Sequence, residues 1–306
     1  MRTTALGFRS VACRDTYSWR EWINLLLHLG KIKVSLLATL STLTGYLLAT
    51  GRGTTHILMP SAAVFLLACG SCALNQYQER EIDKRMERTK SRPVPSGRLN
   101  PETALWVSLG LILSGALIFF FGVGHLAFAL GLFAVLWYNS IYTPLKQRTA
   151  FAAMPGALVG AIPPVLGWVA GGGELFDARI GGVALFFFIW QIPHFWLLLL
   201  DASRDYENAG LPSITKIFST EQIKGIIFIW LLSTGVSSLI LPLFGFLNSF
   251  IFHILLLAAV TWFLRSAVVF LKSHENKDSF RATFIKLNIY AVVIISLLSV
   301  DRLLSS

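Results

Sequence analysis

NQYQEREIDKRMERTKSRPVPSGRLNPE, residues 75–102, is a dense polar run between two long apolar ones. It holds seven basic side chains (Arg80, Lys84, Arg85, Arg88, Lys90, Arg92, Arg98) and five acidic ones (Glu79, Glu81, Asp83, Glu87, Glu102). In a chain poor in charge elsewhere, such a run is a loop between membrane spans and the place where chemistry concentrates. Asn75, Glu79 and Asp83 are spaced i, i+4, i+8. If the preceding apolar helix continues past Asn75, all three lie on one face, because helical side chains repeat every ~3.6 residues. Oxygen donors aligned at a membrane boundary suit a hard cation such as Mg2+, which takes one or two carboxylates plus phosphate oxygens. The basic run behind them suits a phosphate-rich anion. A solvated positive loop with i,i+4 ion pairs is the alternative.

Working outward, the 306 residues are 55% hydrophobic and 14% charged, where globular chains carry ~25% charge. The fold class is therefore an all-α, polytopic membrane protein, read as one domain over 1–306 with a tail at 1–22 and functional loops at 75–102 and 201–222. A span needs ~20 apolar residues. Nine segments qualify: 28–50, 55–74, 103–122, 125–141, 152–170, 181–200, 223–243, 246–270 and 286–304. The fifth carries Pro155, Gly156, Gly160, Pro163 and Pro164, which predict a bend, either a broken span facing a cavity or kinked packing. Asn100-Pro101-Glu102 and Ser219-Thr220-Glu221-Gln222 read as helix starts.

The net charge of +10 sits in short loops beside apolar spans, which excludes nucleic acid as a partner and matches the positive-inside pattern. It predicts a cytoplasmic N-terminus and a C-terminus outside. The tail, with Arg2, Arg9 and Arg14, has no apolar core of signal-peptide length, so a bacterial inner membrane is favoured over the mitochondrial one. The three cysteines, Cys13, Cys69 and Cys72, support no disulfide framework; Cys69-Gly-Ser-Cys72 reads as small-residue helix packing.

A second constellation follows span six: Trp190-Gln191-Ile-Pro193-His194-Phe195-Trp196, then Asp201 and Asp205 at i, i+4. It echoes Glu79/Asp83 on the same side of the membrane. Two carboxylate faces at one mouth suit one or two Mg2+ ions against a diphosphate; a solvated acidic helix end is the alternative. Gln191 and His194 lie within the span, where polar groups are costly and face the bundle interior. His194 is read as a haem ligand, a hydrogen-bonding group for a substrate, or a satisfied packing histidine. Tyr142 and Lys146, after span four, offer a phenol and a cation to the same mouth.

Taken together, these residues resemble the UbiA superfamily of intramembrane prenyltransferases, and within it the branch that farnesylates protohaem. The carriers are Asn75-x-x-x-Glu79-x-x-x-Asp83, Met86-x-Arg88-Thr89-x-x-Arg92-Pro93, Tyr142-Thr-Pro-Leu-Lys146, Gly160-Ala-Ile-Pro-Pro164-x-x-Gly167-Trp168, Trp190-Gln-x-Pro193-His194-Phe195-Trp196 and Asp205-Tyr206-x-x-Ala209-Gly210-x-Pro212. The resemblance implies nine helices around a central cavity and transfer of farnesyl from farnesyl diphosphate to a vinyl group of haem B. It implies that Asn75, Glu79 and Asp83 take a first metal-binding role and Asp205 part of a second, these four being catalytic; Asp201 is read as a metal ligand on its i, i+4 spacing to Asp205. Arg88, Arg92 and Lys146 are implied to bind the diphosphate, and Tyr142, Gln191, His194 and Tyr206 are read as further substrate-binding groups. Mg2+ is the implied cofactor, and an oxidase-assembly or haem A synthase partner is implied at family level. The sequence departs from the wider superfamily in having Gln76 and Glu79 where Asp is common, Arg204 before Asp205, and Lys31/Lys33 in span one. A quinone precursor or chlorin as acceptor, a transporter, and a non-catalytic haem-handling protein are the alternatives.

Overall fold

The computed structural model describes residues 17–273 and 277–305. Arg2, Arg9, Arg14, Cys13 and His274 lie outside the described residues. Among the described residues there is no strand and there are nine helices long and apolar enough to cross a membrane.

The chain opens with α1 (Trp19–Leu29), started by a Ser18/Glu21 capping box. A turn at Gly30–Lys31 leads into α2 (Ile32–Thr50), so the first apolar run, read as 28–50, begins as a span only at Ile32. The break is backbone-driven, since Lys31 adopts a left-handed φ of 45°, a conformation that costs a residue with a Cβ. Then come α3 (Leu58–Gln78), α4 (Arg80–Asp83), α5 (Pro101–Ile118), α6 (His125–Leu136) and α7 (Thr143–Leu145). They are followed by α8 (Ala153–Ala170), α9 (Ala178–Asp201), α10 (Ser203–Asn208), α11 (Thr220–Ile240), α12 (Phe250–Lys272) and α13 (Lys277–Leu304). Both expected helix starts form. Asn100 accepts from Glu102 N at 2.9 Å with Pro101 in the first turn, and Ser219/Gln222 close a capping box.

Span five is one helix, α8, with Pro163 and Pro164 inside it. Its small residues serve close approach. A Cβ on Gly45 of α2 would overlap the Pro164 carbonyl, and one on Gly167 of α8 would overlap the Thr42 carbonyl. The two backbones touch reciprocally, as membrane helices do where small residues line a crossing. Cys69 and Cys72 are free and buried on α3, and the Gly70 between them lies against Ser108 and Ile112 of α5. This bears out packing as their role.

The main apolar core joins α8, α9, α11, α12 and α13; a second core lies between α3, α5, α6 and α8. Large apolar side chains such as Trp106, Leu113, Phe121 and Ile229 point outward, onto the lipid side. At one end, the loops after spans two, four and six meet. At the other, the Asp301 carboxylate of α13, fully buried, accepts from the Asn248 and Ser249 backbone N–H groups at 2.7 and 3.1 Å. That pin satisfies two donors at the start of α12.

Candidate active site

α3 ends at Gln78, and Glu79 is a turn residue with φ −94° and ψ 6°. The helical hydrogen bonds survive the turn: Glu79 N donates to Asn75 O at 2.9 Å and Asp83 N to Glu79 O at 2.8 Å. Asn75, Glu79 and Asp83 therefore stay on one face, and they are 3%, 2% and 3% exposed. Burying two carboxylates is costly unless cations and hydrogen bonds compensate, and each has its cation. Lys146 Nζ lies 2.7 and 2.8 Å from the two Glu79 carboxylate oxygens. Arg92 Nη1 donates to Asp83 Oδ2 at 2.7 Å. The Asn75 amide is oriented by three bonds: Nδ2 donates to Glu79 and to Thr143 Oγ1, and Oδ1 accepts from Lys31 Nζ at 2.9 Å.

Lys146 reaches the site because span four ends in a π-helical turn, Trp137–Tyr142, before α7. Such turns shift the register of the side chains that follow and recur at functional sites. Buried Asn139 ties this turn to α3 through Ser71 O and Gln78. Burial acts to lower the Lys146 pKa, but the adjacent Glu79 outweighs it and holds the ammonium above its ordinary value. Lys31, with no carboxylate in direct contact, is lowered, chiefly by burial. Three cations against two carboxylates leave this cluster net positive, as an anion site requires.

The second loop joins the first. Asp205 of α10 accepts from the Arg88 backbone N–H at 3.0 Å. Beneath that contact, Met86 and Ile82 pack with Ala202, Tyr206, Ala209 and Leu211. Both acid-bearing loops thus share one mouth. Asp201 stands exposed at the end of α9, and Asp205 is half-buried. The Arg88 side chain is exposed, so its main chain rather than its guanidinium meets Asp205. Among the described residues no three His, Cys, Asp or Glu side chains gather as a ready metal cage. The oxygen donors of Asn75, Glu79 and Asp83 fit Mg2+ by chemistry, and a diphosphate would complete its shell.

Deeper in the bundle, Tyr138, Tyr142 and Phe195 form a stack with successive centroid distances of 5.6 and 5.5 Å. Gln191 occupies the space that a Cβ on Gly160 would fill. His194 bonds through Nδ1 to Asn288 Oδ1 at 3.0 Å, between the Trp190 and Phe284 rings. Asn288 Nδ2 donates to Phe284 O at 2.6 Å, which orients the amide. Its oxygen must then accept from His194, so the proton lies on Nδ1 and Nε2 keeps a free lone pair.

Sequence reasoning missed Lys31, Thr143 and Asn288. For Lys31 the available signal is a pair of lone cations, Lys31 and Lys33, at the start of an apolar run. Gln76 also has its reason: Nε2 donates to the His28 and Leu29 carbonyls at 3.0 and 2.9 Å, closing the end of α1. A carboxylate there would face two carbonyl oxygens.

The model of the UbiA prenyltransferase family matches residues 38–290. A protoheme IX farnesyltransferase of Oleidesulfovibrio alaskensis is 35% identical over 280 residues, which is 91% of this chain and 96% of that one. Another, of Geobacter sulfurreducens, is 39% identical over 70% of this chain and 78% of its own. Among solved structures, a digeranylgeranylglyceryl phosphate synthase superposes with a TM-score of 0.74 at 16% identity, covering 92% of this chain and 99% of that one. A UbiA homolog from Archaeoglobus fulgidus bound to GPP and Mg2+ gives 0.61 at 13% identity, over 90% and 99%.

Proposed function

The chain belongs to the UbiA prenyltransferase family, and we infer that it transfers the farnesyl group of farnesyl diphosphate to a vinyl group of haem B. The product is haem O, with a hydroxyethylfarnesyl side chain, and diphosphate leaves. The observation that carries this reading is the near full-length match to protoheme IX farnesyltransferases. The chain is an integral membrane protein. On the positive-inside rule its loop-bearing end faces the cytoplasm of a bacterial cell, with the N-terminus on that side. We read residues 1–306 as a single membrane-embedded domain.

In our reading Asn75, Glu79 and Asp83 hold Mg2+, with Asp205 and Asp201 contributing from the second loop. When bound, Mg2+ offsets charge on the diphosphate oxygens. Lys146, Arg92 and Lys31 are the chain's own contribution. Paired now with Glu79, Asp83 and Asn75, they face the oxygen that gains charge as the allylic C–O bond breaks. Arg88 adds a further cation at the rim. The Tyr138–Tyr142–Phe195 stack presents ring faces that stabilise an allylic cation and keep bulk water away. The haem vinyl group attacks that cation, and water then adds to the resulting centre and loses a proton. Gln191, Tyr206 and His194 line the acceptor side, with the His194 Nε2 lone pair free for haem iron. The farnesylated haem then passes to an oxidase-assembly step or a haem A synthase.

Mass spectrometry of haems, after expression in a host lacking this activity, tests the assignment. Haem O is expected, and in purified protein a chelator stops its formation until Mg2+ is restored. Product from 4-hydroxybenzoate but none from haem B would reassign the acceptor. Asn288→Leu tests the histidine. It keeps the volume but frees the ring to change tautomer, so haem B bound to the purified variant is expected to show a shifted Soret band and weaker affinity by roughly tenfold, within the usual range for outer-shell partners. An unchanged spectrum would remove His194 from the iron.

A further inference from the structure

The lipid-facing side of spans eight and nine carries a groove of about 650 Å3 that the proposed chemistry does not use. One stripe of α12 lines it, including Ile254, Leu257, Thr261, Arg265 and Val269, and Lys286 of α13 faces that stripe. From Arg265 to Ile254 the stripe is about 16 Å long at ~1.5 Å per residue, room for most of an extended acyl chain. Arg265 lies seven residues before the end of α12 at Lys272. Lys286 lies eight residues into span nine from Asp278. Both cations therefore sit roughly 10–12 Å inside the end that carries the active-site loops.

Neither cation has an ion-pair or hydrogen-bond partner among the described residues. Charged groups inside a span are costly and are usually paired, or face the interior or water; these two face lipid. Lys and Arg stems are long enough to carry such charges toward a membrane interface. The nearby hydroxyls are already committed: Thr261 donates to Leu257 O and Ser266 to Trp262 O. The groove thus offers two unpaired cations at one end and an apolar trough at the other.

We propose that this groove is a binding site for one anionic phospholipid of the loop-side leaflet. The phosphate sits between Arg265 and Lys286, and an acyl chain runs along Leu257 and Ile254. Charge complementarity selects an anionic headgroup over a zwitterionic one. The position on the outer face of α12, in contact with bulk lipid and apart from the acid-bearing helix ends, selects a lipid over either substrate.

The test is native mass spectrometry of the purified full-length protein with phosphatidylglycerol, cardiolipin or phosphatidylcholine. One anionic lipid is expected to be retained in preference to phosphatidylcholine. Each basic residue beside an anionic headgroup is worth roughly fivefold in affinity, so the Arg265→Gln/Lys286→Gln double variant is expected to lose on the order of thirtyfold. Ala258→Trp, which fills the groove and leaves both cations in place, is expected to lose the same lipid. That second variant decides the matter if the double variant does not fold. Equal retention of phosphatidylcholine, or undiminished retention of anionic lipid by the variants, overturns the proposal. Tighter binding of farnesyl diphosphate or haem B that displaces the lipid and is lost in the variants overturns it in favour of a substrate.

Discussion

Asp83→Asn is expected to lower haem O formation at least a hundredfold, on the order of what losing one preorganised transition-state interaction costs, while leaving the protein folded. The carboxylate is 3% exposed and bonded to Arg92 at 2.7 Å. Asn keeps the shape and one acceptor for the guanidinium but removes the charge that a divalent cation needs. Arg92 is half-buried, so it can turn toward water when its partner is neutralised. The reverse change differs. Arg92→Gln strands a buried carboxylate, and breaking such a pair from one side costs about 3–5 kcal/mol. The two variants therefore separate chemistry from folding: the first lowers turnover at constant protein level, the second lowers both. Haem profiles by mass spectrometry, set against protein level by immunoblot, read the difference. Wild-type haem O from the Asn variant would remove the metal role assigned to this helix face.

Gly167→Ala is expected to prevent the protein from accumulating in a folded form. The added methyl would overlap the Thr42 carbonyl, and a backbone atom cannot rotate away as a side chain end can. To admit it, α2 and α8 must separate along a crossing that Gly45 and Pro164 also close. Overpacking costs typically 1–3 kcal/mol where side chains yield, and more where main chain must move. Gly110→Ala in α5 is the matched control, since a Cβ there meets nothing within 4 Å and Ala favours a helix. Gel filtration in detergent reads the outcome: a monodisperse peak for the control and loss of that peak for Gly167→Ala. A normal peak for both would mean that the helices do not cross this closely.

These positions explain how far the sequence could be read. The nine spans were legible because a run of apolar residues is a property of composition, and the Asn100 and Ser219 starts were legible because a capping side chain sits at fixed spacing from its amide. The Asn75–Glu79–Asp83 face followed from helical periodicity alone, and a one-residue turn at Glu79 did not break it. Three features were not legible. The turn at Lys31 is a backbone choice inside an apolar run, and hydropathy does not register it. The π-helical turn at Trp137–Tyr142 adds a residue to a helix with no change in composition, yet it helps bring Thr143 and Lys146 to the site. Asn288 lies 94 positions from His194, and their pairing exists only once α9 and α13 are side by side. Of the two readings of span five, a broken span or close packing, the contacts favour packing within one helix. Pro164 and Gly167 let it approach α2, while Gly156 and Gly160 make room for Tyr142 and Gln191.

The bond joining the two loops is made by the main chain of residue 88, not by its side chain. Any amino acid other than proline supplies that amide. The identity of residue 88 is thus released from the task of closing the mouth, and its guanidinium is left to answer only to the anion at the rim. Position 205 has less latitude, because that amide needs a side-chain acceptor oxygen of the right reach, which Asp or Asn supplies. The two lips therefore answer to different demands, closure through a main-chain amide on one and through a side-chain oxygen on the other.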